Sequence, residues 1–398
     1  MKSEALKKIK KDFRWDIYQC SLKCFNCQYV NPHVLVNQDH YINCPSGKKF
    51  AFDSYFAGGK MEIARGILDG SLKLPTNKIL EIFYTCTTCG SCQEMCYYNR
   101  EMRPLEVFEA VREYLVEQEI GPLPEHISFI NSIKNKHNPY KEEHEKRLDW
   151  LENKDILKDS KLLYFVGCTS SYRTQNIAKA TTKIMEQLNI DFNIAGNEWC
   201  CGSPLFRVGA VKLGEEVMRH NIEEINKMKV EKIIFSCAGC YRTFKKDYPA
   251  HGIEFDFEIQ HISEFLSDLI KSNKIKFKNL DLSVTYHDPC HLGRHAGVYQ
   301  APRDVISSIP NIKLIEMYRN RYNTWCCGAG GGVKSGYKDF ALETANERIE
   351  EVKKTGTKTL VSTCPFCNLN FKDCVKANKE NIEILDLTEL LLKGGISC

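Results

Sequence analysis

One cysteine pattern occurs twice in this chain, and it constrains the fold more than any other feature. From Cys168, 31 residues lead to the adjacent pair Cys200-Cys201, and 35 more lead to Cys237-Ala-Gly-Cys240. From Cys290, 35 residues lead to Cys326-Cys327, and 36 more lead to Cys364-Pro-Phe-Cys367. Each copy reads C…CCG…CxxC, with corresponding cysteines offset by 122, 126 and 127 positions. A five-cysteine pattern that recurs at such spacing marks an internal duplication. The adjacent pairs are sterically awkward, because neighbouring side chains point apart on a strand and splay around a helix axis. Gly202 and Gly328 follow them at once, and glycine permits positive φ or close backbone approach there.

Both copies carry α/β punctuation. KLLYFVGC (161–168) and KIIFSC (232–237) are buried-strand runs that end at a cysteine, and TQNIAKATTKIMEQLN has helical periodicity. LSVTYHDPC (282–290) and KTLVSTC (358–364) take the same places in the second copy. Strands that end in cysteine and pass into a helix present sulfur at the carboxyl edge of a sheet, where open α/β folds build their sites.

The chemistry of 20 cysteines depends on context. Dense disulfides belong to small secreted domains. This chain has 398 residues, 43% of them hydrophobic and 27% charged, enough for a large core and two or three domains. Its first residues, MKSEALKKIKKDF, are charged and contain no apolar run of the kind that directs export. No stretch has the length of a membrane span, and the formal charge of +4 gives no strong pull toward nucleic acid. Zinc and iron–sulfur chemistry remain, and spacing separates them.

Eight cysteines lie between Cys20 and Cys96, and none follows until Cys168. Cys86-x2-Cys89-x2-Cys92-x3-Cys96 matches bacterial ferredoxin ligation, in which the fourth cysteine of one run binds the other cluster. A second run is present in altered form as Cys20-x3-Cys24-x2-Cys27, followed sixteen residues later by Cys44-Pro45. Cross-pairing gives Cys20, Cys24, Cys27 and Cys96 for one [4Fe–4S] cubane, and Cys86, Cys89, Cys92 and Cys44 for the other. Zinc is the alternative, but zinc clips use two separated knuckles rather than a triple run. MEIARGILDGSLKLPTNKILEIFYTC and PLEVFEAVREYLVEQ, which flank the second run, are helical by period. HNPYKEEHEKRLDWLENKDILKDS reads as an exposed, charged connector, with a domain boundary near residue 155.

YFVGC (164–168), EWCCGSP (198–204), SCAGCYRTFKKDYP (236–249), YHDPCHLGR (286–294) and CCGAGGG (326–332) resemble the two CCG domains of the heterodisulfide reductase D-type subunits. Related iron–sulfur subunits serve glycolate and lactate oxidation systems. The resemblance covers essentially the whole chain, because those subunits also begin with a two-cubane ferredoxin-like domain, matched here by CTTCGSCQEMC. It implies an α/β protein with a helical ferredoxin-like domain at 1–155, a first CCG domain at 156–280 and a second at 281–398. It further implies a noncubane [4Fe–4S] cluster on each five-cysteine set. One would use Cys168, Cys200, Cys201, Cys237 and Cys240, and the other Cys290, Cys326, Cys327, Cys364 and Cys367, and both would act in cleaving a disulfide.

Two cysteines are left over. Cys374 reads as a buried thiol on a helix, and Cys398 has no assigned role. Gly330, Gly331 and Gly332 are not a phosphate loop, since no GxxxxGK[ST] pattern accompanies them. His291, Arg294 and His295 read as a solvated helix start, with proton supply or attraction of an anionic thiol as the alternative. His261 and His287 read as satisfied structural histidines. No Ser/His/Asp constellation and no flavin fingerprint stand out, so electrons must come from a partner, either a flavoprotein or a membrane haem or quinone protein. The expected function is disulfide reduction as the iron–sulfur subunit of a heterodisulfide reductase-like complex. The alternatives are an electron relay for a flavin-dependent 2-hydroxy acid or acyl-CoA oxidising complex, and a zinc-bound scaffold. Cluster loading needs a reducing interior, which places the chain in the cytoplasm, at a membrane only through a partner.

Overall fold

The computed structural model describes residues 3–397 apart from 21–23, 25, 31–39, 77, 97–100, 153, 155, 156 and 158. Cys398 lies outside the described residues. Nine short strands are present among them: β1 (Leu162–Phe165), β2 (Lys232–Phe235), β3 (Glu258–His261), β4 (Lys276–Phe277), β5 (Leu282–His287), β6 (Ile312–Leu314), β7 (Thr359–Ser362), β8 (Glu383–Asp386) and β9 (Ile396–Ser397). They form a parallel sheet β1-β2-β3, a parallel sheet β6-β5-β7-β8 and a small antiparallel pair β4-β9.

The duplication is visible in the register. Tyr164 faces Ile234 in the first sheet and Tyr286 faces Val361 in the second, the same positions after the offset. The tyrosine hydroxyls repeat too. Tyr164 meets Ser236 Oγ at 2.8 Å, and Tyr286 meets Thr363 Oγ1 at 2.8 Å, each one residue before a ligand cysteine. The sheets differ at one edge. β6 is a strand in the second copy, whereas the first has only a parallel bridge from Leu163 to Asn193.

The strand residues alternate between two cores, as a parallel sheet covered on both faces requires. Leu163, Phe165, Ile233, Phe235 and Leu360 pack with the cysteines of both sets. Tyr164, Val166, Ile234, Tyr286 and Val361 pack on the opposite side with Ile184, Val305 and Leu387. Each core draws on both sheets, so the copies share an interior.

The N-terminal region is helical, as its periodicity predicts. Helices Glu4–Asp12, Arg14–Cys20, Ala57–Asp69, Ile79–Tyr84 and Pro104–Glu117 bury Ile9, Ile17, Met61, Phe83, Phe108 and Val111 together. Pro104 opens the last of these, where a missing N–H costs nothing. No helix among the described residues is long and apolar enough to cross a membrane.

The charged connector departs from expectation. Its segment His144–Leu148 forms a short 3₁₀ turn, and Arg147 and Trp150 are each only 2% exposed. Trp150 and Leu151 join the core beneath β1, and Arg147 is drawn inward by the buried carboxylate of Glu198. Averaged charge hid one cation and one aromatic ring that pack inside.

Candidate metal centres

The strands deliver the cysteines as the sequence suggests. β1 runs through Gly167 into the helix Cys168–Tyr172, while β2 and β7 end at Cys237 and Cys364, the N-caps of helices Ala238–Arg242 and Pro365–Asn378. After β5 the chain instead passes Cys290 through turns. Gly202 and Gly328 take φ of +88° and +89°, the left-handed turn that lets each adjacent pair fold over the sheet edge.

All ten cysteines of the two sets are buried, and their thiols form one continuous run. In the first set Cys168 contacts Cys200, Cys200 contacts Cys201, Cys201 contacts Cys240 and Cys240 contacts Cys237. In the second, Cys290 contacts Cys326, Cys326 contacts Cys327, Cys327 contacts Cys367 and Cys367 contacts Cys364. The sets meet where Cys237 touches Cys364. Cys201 is held well below the usual thiol range by Cys200 and Cys240, and Cys327 likewise by Cys326 and Cys367.

The surroundings of the two sets differ. Cys168 is lowered by Cys200 and by the guanidinium of Arg147, whose Nη1 lies 3.6 Å from its sulfur. Arg147 is paired with Glu198, which also accepts from the backbone N–H groups of Val166 and Gly167 at 2.9 Å. Cys290 has no such partner, and Cys326 and burial push it well above the usual range. Cys326 also touches Cys89 of the N-terminal run, and those three thiols form a small buried cluster.

The N-terminal cysteines lie close to one another. Cys20 has Cys96 and Cys24 as electrostatic neighbours, and burial with these charges pushes it to about 12. Cys27 has Cys20, Cys44, Cys24 and Cys96 around it. Cys92 has Cys27 as its strongest electrostatic neighbour, then Cys86, Cys89 and Cys44. Cys24 is exposed, whereas Cys89 is buried. Every described cysteine is free of disulfide bonds.

The loop carrying Cys86 docks on the second copy. A side chain at Gly330 would reach within 2.6 Å of the Thr87 carbonyl, and one at Gly331 would run into the Cys86 carbonyl. The first copy has Pro204 and Leu205 at these positions. Arg112, fully buried, fixes the joint. Its guanidinium donates to the carbonyls of Cys86 at 2.7 Å and Gly331 at 2.9 Å, and to those of Phe83 and Arg207.

Three histidine-region expectations change. Arg294 is not on a solvated helix start, because it donates to the carbonyls of Tyr322, Cys89 and Thr324. His295 is 7% exposed, and the His291 ring lies tilted beside it with centroids 4.7 Å apart. With Arg242, Lys246 and Gly90, Arg294 and His295 line a cavity of about 120 Å³ between the three parts of the chain. His287 is not a satisfied core histidine, since its Nε2 is buried without a partner. Cys374 is buried on its helix as expected, and burial pushes it to about 11. Arg112, Arg147 and Glu198 escaped sequence reading, since none has a counterpart that the duplication would flag. The donor chemistry suits iron–sulfur groups: eight sulfurs lie in the N-terminal region, and the ten buried sulfurs of the two sets have mainly one another for neighbours.

Comparison with known proteins identifies the duplicated domain. The family model for the cysteine-rich CCG domain matches residues 162–245 and 284–372. The chain is 41% identical over 341 residues to the D-type subunit of the dihydromethanophenazine:CoB–CoM heterodisulfide reductase of Methanosarcina acetivorans, covering 83% of each. It is 31% identical over 387 residues to the B-type subunit of the CoM/CoB fumarate reductase of Methanothermobacter marburgensis, covering 93% of this chain and 71% of that one. It is 27% identical over 431 aligned positions to the EtfAB:quinone oxidoreductase of Syntrophomonas wolfei, covering 96% of this chain and 59% of that one. With the duplicated cysteine-rich domain and identity of this extent, the chain belongs to the family of heterodisulfide reductase D-type iron–sulfur subunits.

Proposed function

We propose that this chain reduces a disulfide as the iron–sulfur subunit of a heterodisulfide reductase-like complex, with electrons supplied by a flavoprotein or a membrane haem or quinone partner. Residues 1–155 hold two [4Fe–4S] cubanes on the two fours of cysteine, and 156–280 and 281–398 each hold a noncubane cluster on five. The observation that carries the reading is the meeting of the two five-cysteine sets at Cys237 and Cys364, which leaves one junction for a disulfide between them. When bound, the clusters supply one-electron carriers and sites for thiolate sulfur.

The chain's own residues bind, align and shield. Cys201 and Cys327 offer thiolate within buried sets. Arg147 offsets negative charge at Cys168. Arg112 clamps the Cys86 loop to the Gly331 turn. His291 Nδ1 would meet a side chain at Gly239 at 3.6 Å, so it stands beside Cys237 at the junction.

Anaerobic metal analysis is expected to return about sixteen irons per chain; zinc without labile sulfide would sink the reading. Cys201→Ala and Cys327→Ala are expected to abolish disulfide reduction while the EPR signals of both cubanes remain. Full activity in either variant would overturn the site. Similarity to the EtfAB:quinone oxidoreductase supports a second reading, a relay from a flavoprotein to a quinone. Under it, the intact chain with an artificial donor reduces quinone analogues and leaves disulfides untouched. Cluster assembly in a reducing interior supports a cytoplasmic site, with any membrane contact made through the partner.

A further inference from the structure

Position 287 breaks the duplication. Under the 122-residue offset, His287 at the end of β5 stands where β1 has Phe165. Both rings meet the phenylalanine four residues past their CxxC pair. Phe165 and Phe244 lie 5.0 Å apart at 65°, and His287 and Phe371 lie 4.9 Å apart at 83°. The packing niche is the same, yet the second copy fills it with a polar ring, 1% exposed. Burying such a ring without partners is costly.

Its hydrogen-bonding fixes which nitrogen carries hydrogen. Arg348 Nε donates to His287 Nδ1 at 3.3 Å. Arginine is only ever a donor, so Nδ1 is an acceptor and the ring hydrogen sits on Nε2. That N–H is buried and has no partner among the described residues. A ring nitrogen of His287 and the sulfurs of Cys327 and Cys367 lie within 4.8 Å of one another.

We infer that His287 Nε2–H is a hydrogen-bond donor to the sulfurs of the iron–sulfur group held by the second five-cysteine set, and that the first set, with Phe165, has no counterpart. The inference rests on the proposed function's placement of a cluster on that set. Hydrogen bonds to sulfur stabilise the more negative, reduced state and raise the potential. Two sets with identical ligands are thereby unequal, and the one beside Cys89 is the easier to reduce.

The test is an EPR-monitored redox titration of the full chain, with iron counted, for the wild type and four variants. Cys327→Ala identifies the signal that belongs to the second set. His287→Phe is expected to keep its iron and move that signal's midpoint downward while the others hold. The expected size is about a tenfold change in the oxidised-to-reduced ratio at fixed potential, 59 mV for one electron. His287→Asn still accepts from Arg348 but is too short to reach sulfur, so it is expected to shift similarly even if the phenylalanine variant does not fold. His287→Gln extends an N–H further and is expected to restore most of the wild-type midpoint. An unchanged midpoint in both the phenylalanine and asparagine variants, or an equal shift of every signal, overturns the inference. Loss of the signal and its iron in all three His287 variants makes the histidine a ligand and overturns it as well. If Cys327→Ala loses neither signal nor iron, the cluster placement itself fails, a result distinct from the others.

Discussion

The two five-cysteine sets share one cysteine pattern, with a left-handed glycine after each adjacent pair, yet they face different neighbours. The first borders the connector, where Arg147 and Glu198 hold a buried ion pair against Cys168. The other borders the N-terminal run, with Cys89 against Cys326, glycines against the Cys86 loop, and His287 beneath Cys327 and Cys367. Duplication preserved the cysteines, and divergence fell on what surrounds them. Equal ligand sets can therefore differ in charge, contact and potential, because those depend on the shell around the sulfurs.

The largest effect is expected from removing the cation peculiar to the first set. Arg147→Met leaves Glu198 buried without its partner, a loss of about 3–5 kcal/mol. Chemical denaturation measures it, and iron should be lost from the first set before the second. Adding Glu198→Gln should recover part of the stability. If the single variant is as stable as wild type, the ion pair does not support the first set.

The reverse break is Gly331→Leu, which gives the second turn the first turn's residue. Its side chain would meet the Cys86 carbonyl, and φ is +63°. The strain is expected to cost about 1–3 kcal/mol and to weaken spin coupling between the Cys86-side cubane and the second set in EPR. Unchanged coupling would separate the loop contact from communication between the centres.

The smallest effect sharpens the same side. His126 donates from Nε2 to the Gly332 carbonyl at 3.0 Å, and burial lowers its pKa from 6.5 to about 4. A depressed imidazole leaves the unfolded chain to bind the proton first. Its contribution is therefore flat above about pH 6.5 and is lost as pH falls from there toward 4. At pH 5.5 the loss is about 1.4 kcal/mol. His126→Gln should remove that increment from the difference in stability between pH 7.5 and 5.5; an unchanged difference would show that other groups set the acid response.

Much of this was legible beforehand. Strand runs ending in cysteine located β1, β2, β5 and β7, and periodicity located the N-terminal helices, because both signals are local. The connector misled, because composition averages over Arg147 and Trp150, whose burial depends on a carboxylate 51 residues later and on the core beneath β1. His291, Arg294 and His295 misled similarly: a polar run looks solvated until another segment covers it. His287 was the subtlest miss. Aligning the copies shows a histidine opposite a phenylalanine, but only packing reveals that its free nitrogen has sulfur for company.

The sequence by itself determined the cysteine inventory, the duplication, and the turns that bring each set together, because spacing over a few residues fixes local geometry. Tertiary structure decided how the sets relate: that they meet at Cys237 and Cys364, that Cys89 reaches only the set begun by Cys290, and that Arg112 ties three segments at one point. Those contacts join residues far apart along the chain. Their partners are chosen by the packing of shared cores, which no local pattern records.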